Sequence, residues 1–483
     1  LLHRLSANYF SKFSRAPVIC KVVGRKVLDG VGQPTLEVEI YCTVKNCEKR
    51  ICSTVMSSHA QISENALPDT AKADERERND SVNTAVEWVN ESLNTMLRNL
   101  KPTDQCKVDK VLGLSWFNPS QKKKIKLVER TIPPAEPVES VLCGSLAIGG
   151  TSLAIAKAGA TISHIPLYLH IALLKHDQDS PKEMTLPLPM VTLLNCEKIS
   201  PAKLKLVKEV MLIPPVQLSL KQVSLSFLDF SMKLIDFFFH SQQPSPQPAD
   251  SKKGKAHNIG KKPQTLKRIS HLGCLITGCD NLEQPLLLMQ TACNNMGLEL
   301  GTDMHLAINC AAHESMDYVK GKYEVLTGTF KSPDEMVDMY VELINKFPFI
   351  IALIDPLRKE DRQQWNNICC ALGSKCYLIA EDAAKYISQL KIDENINMPM
   401  CSGVVLKYIN QTTRGEKADF QTLQAVGLGA RFIKLGGLSR GERVTKYNRL
   451  LAIEEELAKN RTLRMSFFLT LFSASTIARV STK

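Results

Sequence analysis

A chain of 483 residues is longer than one ordinary hydrophobic core supports, so two or three domains are expected. Hydrophobic residues make up 44% and charged residues 23%, which excludes a disordered or fibrous protein. The formal net charge of +12 is concentrated in residues 122–126 (KKKIK) and 252–267, where no aromatics interleave with the cations, so no nucleic-acid partner is expected.

Residues 18–56 read as strands, because VICKVVGRKVLDG and PTLEVEIYCTV alternate apolar and polar side chains around turn chemistry at 29–34. The polar, charged stretch 62–84 reads as a loop. Val82, Val86, Trp88, Val89, Leu93, Met96 and Leu97 then recur at helical spacing, predicting an amphipathic helix over 82–100. After a proline break at 133–137, GSLAIGGTSLAIAKAGA offers small residues for close helix packing. Lys157, His164, Pro166 and several glycines interrupt the apolar run 142–174, so it reads as a buried helix and a loop, and no membrane span is expected. The apolar run 467–472 is too short to cross a bilayer.

Residues 216–240 are apolar and rich in phenylalanine, and a low-complexity linker follows at 240–266. Downstream, the short apolar runs HLAINCA, FIIALI, CYLIA, GVVLKY and RFIKL alternate with helix-patterned stretches. One of these, DEMVDMYVELI, puts Met336, Met339, Tyr340 and Leu343 on a single stripe. A βα repeat with Lys407 and Lys434 in or at the ends of strands predicts a barrel with a polar mouth. The 15 cysteines carry no CxxC pair and no metal-ligand spacing, which points to reduced thiols and a cytoplasmic protein without a secretory leader.

These segments, taken in order, resemble the enolase family. VLDGVGQPTLEVEI is similar to its opening hairpin, GSLAIGGTSLAIAKAGA with IPLYLHIALL to its helical segment, and LPLPMVTLLN and EVMLIPP to its first barrel strands. GKYEV, the run to IDP, LIAED, VVLKYINQ, RFIKLGG and KYNRLLAIEEEL follow in the family's order. The resemblance implies an α/β protein with an enolase-like α+β domain over 18–170. A β/α (TIM-type) barrel over 184–457 follows, with the linker at 240–266 inserted in it and a divergent tail at 458–483. It further implies dehydration of 2-phosphoglycerate to phosphoenolpyruvate with Mg2+, in a homodimer.

Residue by residue, the resemblance places Lys407 at the proton-abstracting lysine, Lys434 at a substrate-contacting lysine and Glu209 at a carboxylate near the substrate. A lysine ending an apolar strand otherwise reads as a snorkelling surface residue. The three metal-binding carboxylates fall on Asn309, Ile354 and Glu381, leaving Glu381 and Asn309 as candidate ligands. Asp355 does not stand in for Ile354, since neighbouring strand residues point to opposite faces. The proton-donating glutamate falls on Leu275, the histidine-bearing loop on NCEKISP and the serine-bearing mobile loop on VMSSHAQIS. Gln411 is followed almost at once by TTRGEKADF, so about one helix–strand unit of the barrel is missing, as in an alternatively spliced form. Seven strands would not close with the usual eight-strand stagger. Two functions follow from these residues: a phosphopyruvate hydratase with Lys407 as base, or a structural or assembly protein that keeps the scaffold without the reaction.

Overall fold

The computed structural model describes residues 16–29, 32–56, 68–116, 144–175, 181–196, 203–215, 220, 269–270, 272–381, 401–405 and 418–464. The phenylalanine-rich stretch 216–240 lies outside the described residues apart from Leu220. So do the linker 240–266, both basic runs and the tail beyond 464. The described residues fall into two compact units, one comprising those before 188 with 418–431 and 448–464, the other those of 188–405 with 432–447.

In the first unit, strands β1 (Val18–Leu28) and β2 (Pro34–Val44) pair antiparallel. Their turn forms because the Asp29 carboxylate accepts the Gln33 N–H at 2.9 Å while Gly32 takes a positive φ. Lys45 and Asn46, both at positive φ, make the tight turn into β3 (Cys47–Val55), a geometry whose twist matches paired strands. Helix α1 (Pro68–Trp88) corrects the expectation of a loop over 62–84 from residue 68 onward, residues 62–67 lying outside the described residues. The charge there belongs to a solvated helix face, since alanine, glutamate and arginine are good helix formers and Val82 and Ala85 give the helix a buried stripe.

A π-helical turn, Val89–Leu93, follows α1 and keeps Val89, Leu93 and Leu97 in the core. The wider turn rotates what comes after it, so Met96, expected on the same stripe, is 39% exposed. The π turn also aims two asparagines at the edge of β1. Asn94 Oδ1 accepts the Val22 N–H at 2.9 Å; Asn90 accepts from Gly24 N–H at 2.9 Å and donates to its carbonyl at 3.0 Å. The edge strand's polar backbone is thereby satisfied. Only glycine fits at 24, because a Cβ there would lie 2.9 Å from Val89 Cβ.

Helix α2 (Gln105–Trp116) precedes α3 (Leu146–Ile162) and α4 (Leu167–Lys175). Among the described residues no single helix is long and apolar enough to cross a membrane; α3 and α4 pass only as a pair bent by 104°. Helix α3 instead buries Ala147, Ala154, Ile155 and Ala158 in the core. His170 of α4 is 5% exposed, and among the described residues its Nε2 has no hydrogen-bond partner. Burial holds its pKa below the ordinary 6.5. The unfolded chain therefore takes up a proton near 6.5 that the folded chain refuses until lower pH, so stability present above that value falls as pH drops through it. The thermal midpoint is expected to decline from pH 7.5 to 5.5 (~2 units chosen to bracket the histidine range) more steeply in the native chain than in His170→Gln. Equal slopes would refute this role for His170.

The second unit is a sheet of barrel strands. Among the described residues its hydrogen-bonded path runs β13-β12-β11-β7-β5-β4-β14, with β6 paired to β4 beside it. The strands are β4 (Leu188–Cys196), β5 (Glu209–Ile213), β6 (Leu275–Thr277), β7 (His305–Asn309), β11 (Ile350–Ile354), β12 (Tyr377–Ala380), β13 (Gly403–Val404) and β14 (Phe432–Gly436). Strand β5 is antiparallel to both β4 and β7, and the other ladders of this sheet are parallel. Strands β5 and β11 are buried throughout, as strands covered on both faces must be. No ladder joins β13 to β14 among the described residues.

A small meander, β8 (Met316–Asp317), β9 (Lys322–Leu326) and β10 (Thr329–Lys331), extends from the strand ends. Helix α5 (Gln284–Asn294) precedes β7. Helix α6 (Pro333–Lys346) starts at a capping box in which Ser332 and Glu335 bond each other's backbone N–H. It buries Met336, Tyr340 and Leu343 as the periodicity predicts, with Met339 only partly covered. Helix α7 (Arg362–Leu372) inserts Trp365, which is 0% exposed and donates its indole N–H to the Arg358 carbonyl at 3.0 Å. Asp361 beside it accepts from the Tyr323 hydroxyl and from Arg358 Nε at 3.0 Å.

Candidate functional site

Because β5 runs against its neighbours, its first residue lies at the end of the sheet where β7 and β11 finish. The register sets Glu209 opposite Asn309, Asn309 opposite Ile354 and Ile354 opposite Ile379, a row crossing four strands. Asn309 Nδ2 donates to Glu209 Oε1 at 2.8 Å, and Thr192 of β4 donates its hydroxyl to Glu209 Oε2 at 3.0 Å. Lys434 reaches the same carboxylate from β14, with Nζ 2.6 Å from Glu209 Oε1. The same ammonium lies 3.5 Å from Glu381 Oε2, just beyond the end of β12.

The cluster is nearly dry: the Glu209 and Glu381 side chains are 3% and 6% exposed and Lys434 is 20% exposed. Burial works against the Lys434 ammonium, yet attraction to Glu209 and Glu381 outweighs it and holds the lysine above its usual range. Burial likewise opposes the Glu209 charge, and Lys434 with the Asn309 amide outweighs that, holding the carboxyl below its usual range. Both groups are therefore ionised around neutral pH. Glu381 is positioned by Asp355, whose Oδ1 accepts the Glu381 N–H at 2.7 Å. Asp355 does this from the left-handed region, φ 46, with 2% exposure.

The structure thus brings together four of the residues singled out from sequence: Glu209, Asn309, Glu381 and Lys434. Lys407, the fifth, lies outside the described residues. Sequence reasoning missed Thr192, because a single hydroxyl in an apolar strand reads as a β-branched filler. It also missed Lys208, whose Nζ lies 2.5 Å from Glu314 Oε1 beside the cluster. The signal that was available is the polar pair Lys208–Glu209 opening an otherwise apolar strand.

The donor set does not fit Mg2+, which wants about six oxygens in near-octahedral geometry. The Asn309 amide nitrogen faces Glu209 and its oxygen accepts the Ala311 N–H at 3.2 Å. Ile354 packs in a hydrocarbon cluster with Met190, Met211, Ala307 and Ile379. Leu275 on β6, where the resemblance looks for a proton donor, carries no polar group. Among the described residues no three His, Cys, Asp or Glu side chains are placed to hold a metal ion. Chemically, the arrangement is an ion-pair network: Glu209 has donors on both oxygens, and Lys434 stands 2.6 Å from Glu209 and 3.5 Å from Glu381.

Comparison with known proteins places this geometry. Residues 19–123 match the family described as enolase, N-terminal domain, and residues 257–418 and 412–466 match enolase, C-terminal TIM barrel domain. Enolase 4 of Homo sapiens is 48% identical over 522 residues, covering 95% of this chain and 83% of that protein. Enolase 4 of Xenopus tropicalis is 45% identical over 515 residues, covering 94% and 85%. The enolase of the bacterium Wolinella succinogenes is 26% identical over 479 residues, covering 93% and 99%.

Proposed function

The chain belongs to the enolase family, and on that premise we propose that it works as a structural or assembly protein on the enolase scaffold, with catalysis impaired. One observation carries this reading: Asn309 and Lys434 both bond Glu209 and the same Lys434 ammonium lies 3.5 Å from Glu381, while Ile354 sits in the row where a ligand is needed. Abstracting a proton alpha to a carboxylate builds charge that must be stabilised electrostatically, and the enolase superfamily does so with a Lys or His base and one or two Mg2+ ions. A centre with two of its three cation ligands replaced and Leu275 for its acid supplies little of that stabilisation. A cytoplasmic location and a homodimer are part of the same proposal.

A second reading is favoured by the retained Lys434–Glu209 contact. It makes the chain a phosphopyruvate hydratase, with Lys407 as proton acceptor, Lys434 and Glu209 holding 2-phosphoglycerate, and Glu381 with Asn309 facing the cation. Formation of phosphoenolpyruvate by the purified protein, with Mg2+ and with chelator, decides between them. The first reading expects no turnover above a Lys407→Ala control. Magnesium-dependent turnover that disappears in Lys407→Ala would sink it and establish the second.

A further inference from the structure

Apart from the ion-pair centre, the fold brings two thiols together where β4 and β6 end. Cys196 closes β4 opposite Thr277 in the parallel ladder, and Cys279 lies just past the end of β6. The stretch from Leu204 to Lys208 pins both backbones. The Cys196 N–H donates to the Lys208 carbonyl and the Leu204 N–H donates to the Cys279 carbonyl, each at 2.9 Å. The two sulfurs are hydrogen-bonded, with the Cys196 S–H donating to Cys279. Both cysteines are free, and they are 2% and 3% exposed. Cys279 nevertheless sits between exposed Gly278 and Asp280, directly under the surface, whereas Cys196 lies near Cys274 and Glu209. The Cys274 thiol is itself engaged with Ser270 Oγ at 3.1 Å.

This setting makes the two sulfurs unequal. Cys279 receives the Cys196 S–H and the Thr277 hydroxyl, which favour its thiolate and hold it below the ordinary 9.0 despite burial. The alternative acceptor for Thr277, the Gly278 carbonyl, is at the long limit of 3.5 Å. Cys196 is held above 9.0 by the bond it gives and by burial, so it keeps its proton. We propose that Cys279 and Cys196 are a peroxide-reactive pair, Cys279 the nucleophile and Cys196 the thiol that resolves it into a disulfide. The Cys279 thiolate attacks one oxygen of hydrogen peroxide; the S–O bond forms, the O–O bond breaks, and the hydroxide takes up a proton and leaves as water. The Cys196 sulfur then attacks the Cys279 sulfur. The S–S bond forms, the S–O bond breaks, and the second hydroxide departs as water with the Cys196 proton. Two thiols are oxidised and one peroxide is reduced to two waters. Thiols already in hydrogen-bond contact close to a disulfide by side-chain rotation, with both backbones staying where the Leu204–Lys208 stretch holds them. The pair makes no use of the ion-pair centre, so the proposal holds under either reading of the function.

The test treats the full, reduced chain with hydrogen peroxide, blocks the remaining thiols and reads intact mass and peptide fragments. The native protein is expected to lose about 2 Da, with Cys196 and Cys279 joined and the bond reversed by dithiothreitol. Cys196→Ser has no resolving thiol, so its Cys279 should accumulate as the sulfenic acid and be captured by dimedone. Cys279→Ser should leave Cys196 unlinked. A native protein whose exposed Cys47 and Cys106 oxidise while Cys279 stays reduced overturns the proposal. So does a bond from Cys196 to Cys274, or a bond that forms only in urea. These native arms need no variant to fold. In folded Cys196→Ser, a dimedone adduct that spares Cys279 overturns the assignment of the nucleophile.

Discussion

Replacing Lys434 by methionine is expected to destabilise the barrel unit by about 3–5 kcal/mol at neutral pH, the usual loss when one partner of a buried pair is removed. The side chain is 20% exposed and Glu209 is 3% exposed, so solvent screening reduces little of this loss. Methionine keeps most of the apolar stem, and the loss therefore reports the missing charge and not a cavity. Glu209 would retain its Asn309 and Thr192 donors but lose the ammonium that lies between it and Glu381. Lys434→Met/Glu209→Gln should recover much of the loss, and the coupling in that double-mutant cycle measures the pair.

The pH limbs follow from the same contacts. Glu209 lies below the ordinary 4.5, so its contribution is present above that value and fades as pH falls through its folded pKa. Lys434 lies above the ordinary 10.5, so its contribution is present below that value and fades as pH rises through its folded pKa. Denaturant unfolding at pH 7, roughly mid-plateau, should show the full difference between native and Lys434→Met. A difference under about 1 kcal/mol, typical of exposed pairs, would show that the contact is not dry.

The second large effect is expected at Trp365. Trp365→Ala should cost about 3–5 kcal/mol, because the indole is 0% exposed and its removal leaves a cavity in a close-packed interior. It also removes the donor that holds the Arg358 carbonyl at 3.0 Å. Arg358 in turn bonds Asp361 through Nε and Nη2, and Asp361 accepts from Tyr323. The loss should therefore exceed that of Trp365→Phe, which keeps an aromatic ring and drops only the N–H. Equal midpoints for the two variants in urea would mean that packing contributes little here.

How far the sequence foretold this arrangement depends on whether a signal is local. Strands such as FIIALI and RFIKL declare themselves by apolar content, and Ser332 with Glu335 announces the start of α6 within four residues. The first hairpin is equally legible, because Asp29 and Gly32 encode their own turn. Helix α1 is not, since its charge reads as loop while its helix-forming residues carry the opposite message. In the site, Glu209 and Lys434 were found through ordered resemblance, but nothing in either neighbourhood says that they touch. That contact depends on two strands meeting across β4, and Thr192 gains meaning only there. The left-handed turn at Asp355, which aims its carboxylate at the Glu381 N–H, is likewise set by strand ends and not by local propensity.

The Lys434–Glu209 contact also imposes an order on synthesis. Its partners are 225 residues apart, and Glu209 is made first. At about 5–20 residues per second, Glu209 waits on the order of 10–50 s for its counter-charge to be translated. Burying that carboxylate alone would be strongly unfavourable, so the nascent β4–β5–β7 sheet gains by keeping its polar end hydrated until β14 arrives. Docking of β14 then neutralises the site and completes the ladder in one step. The Lys434–Glu209 pair thus forms only after the strand that carries the lysine has been made.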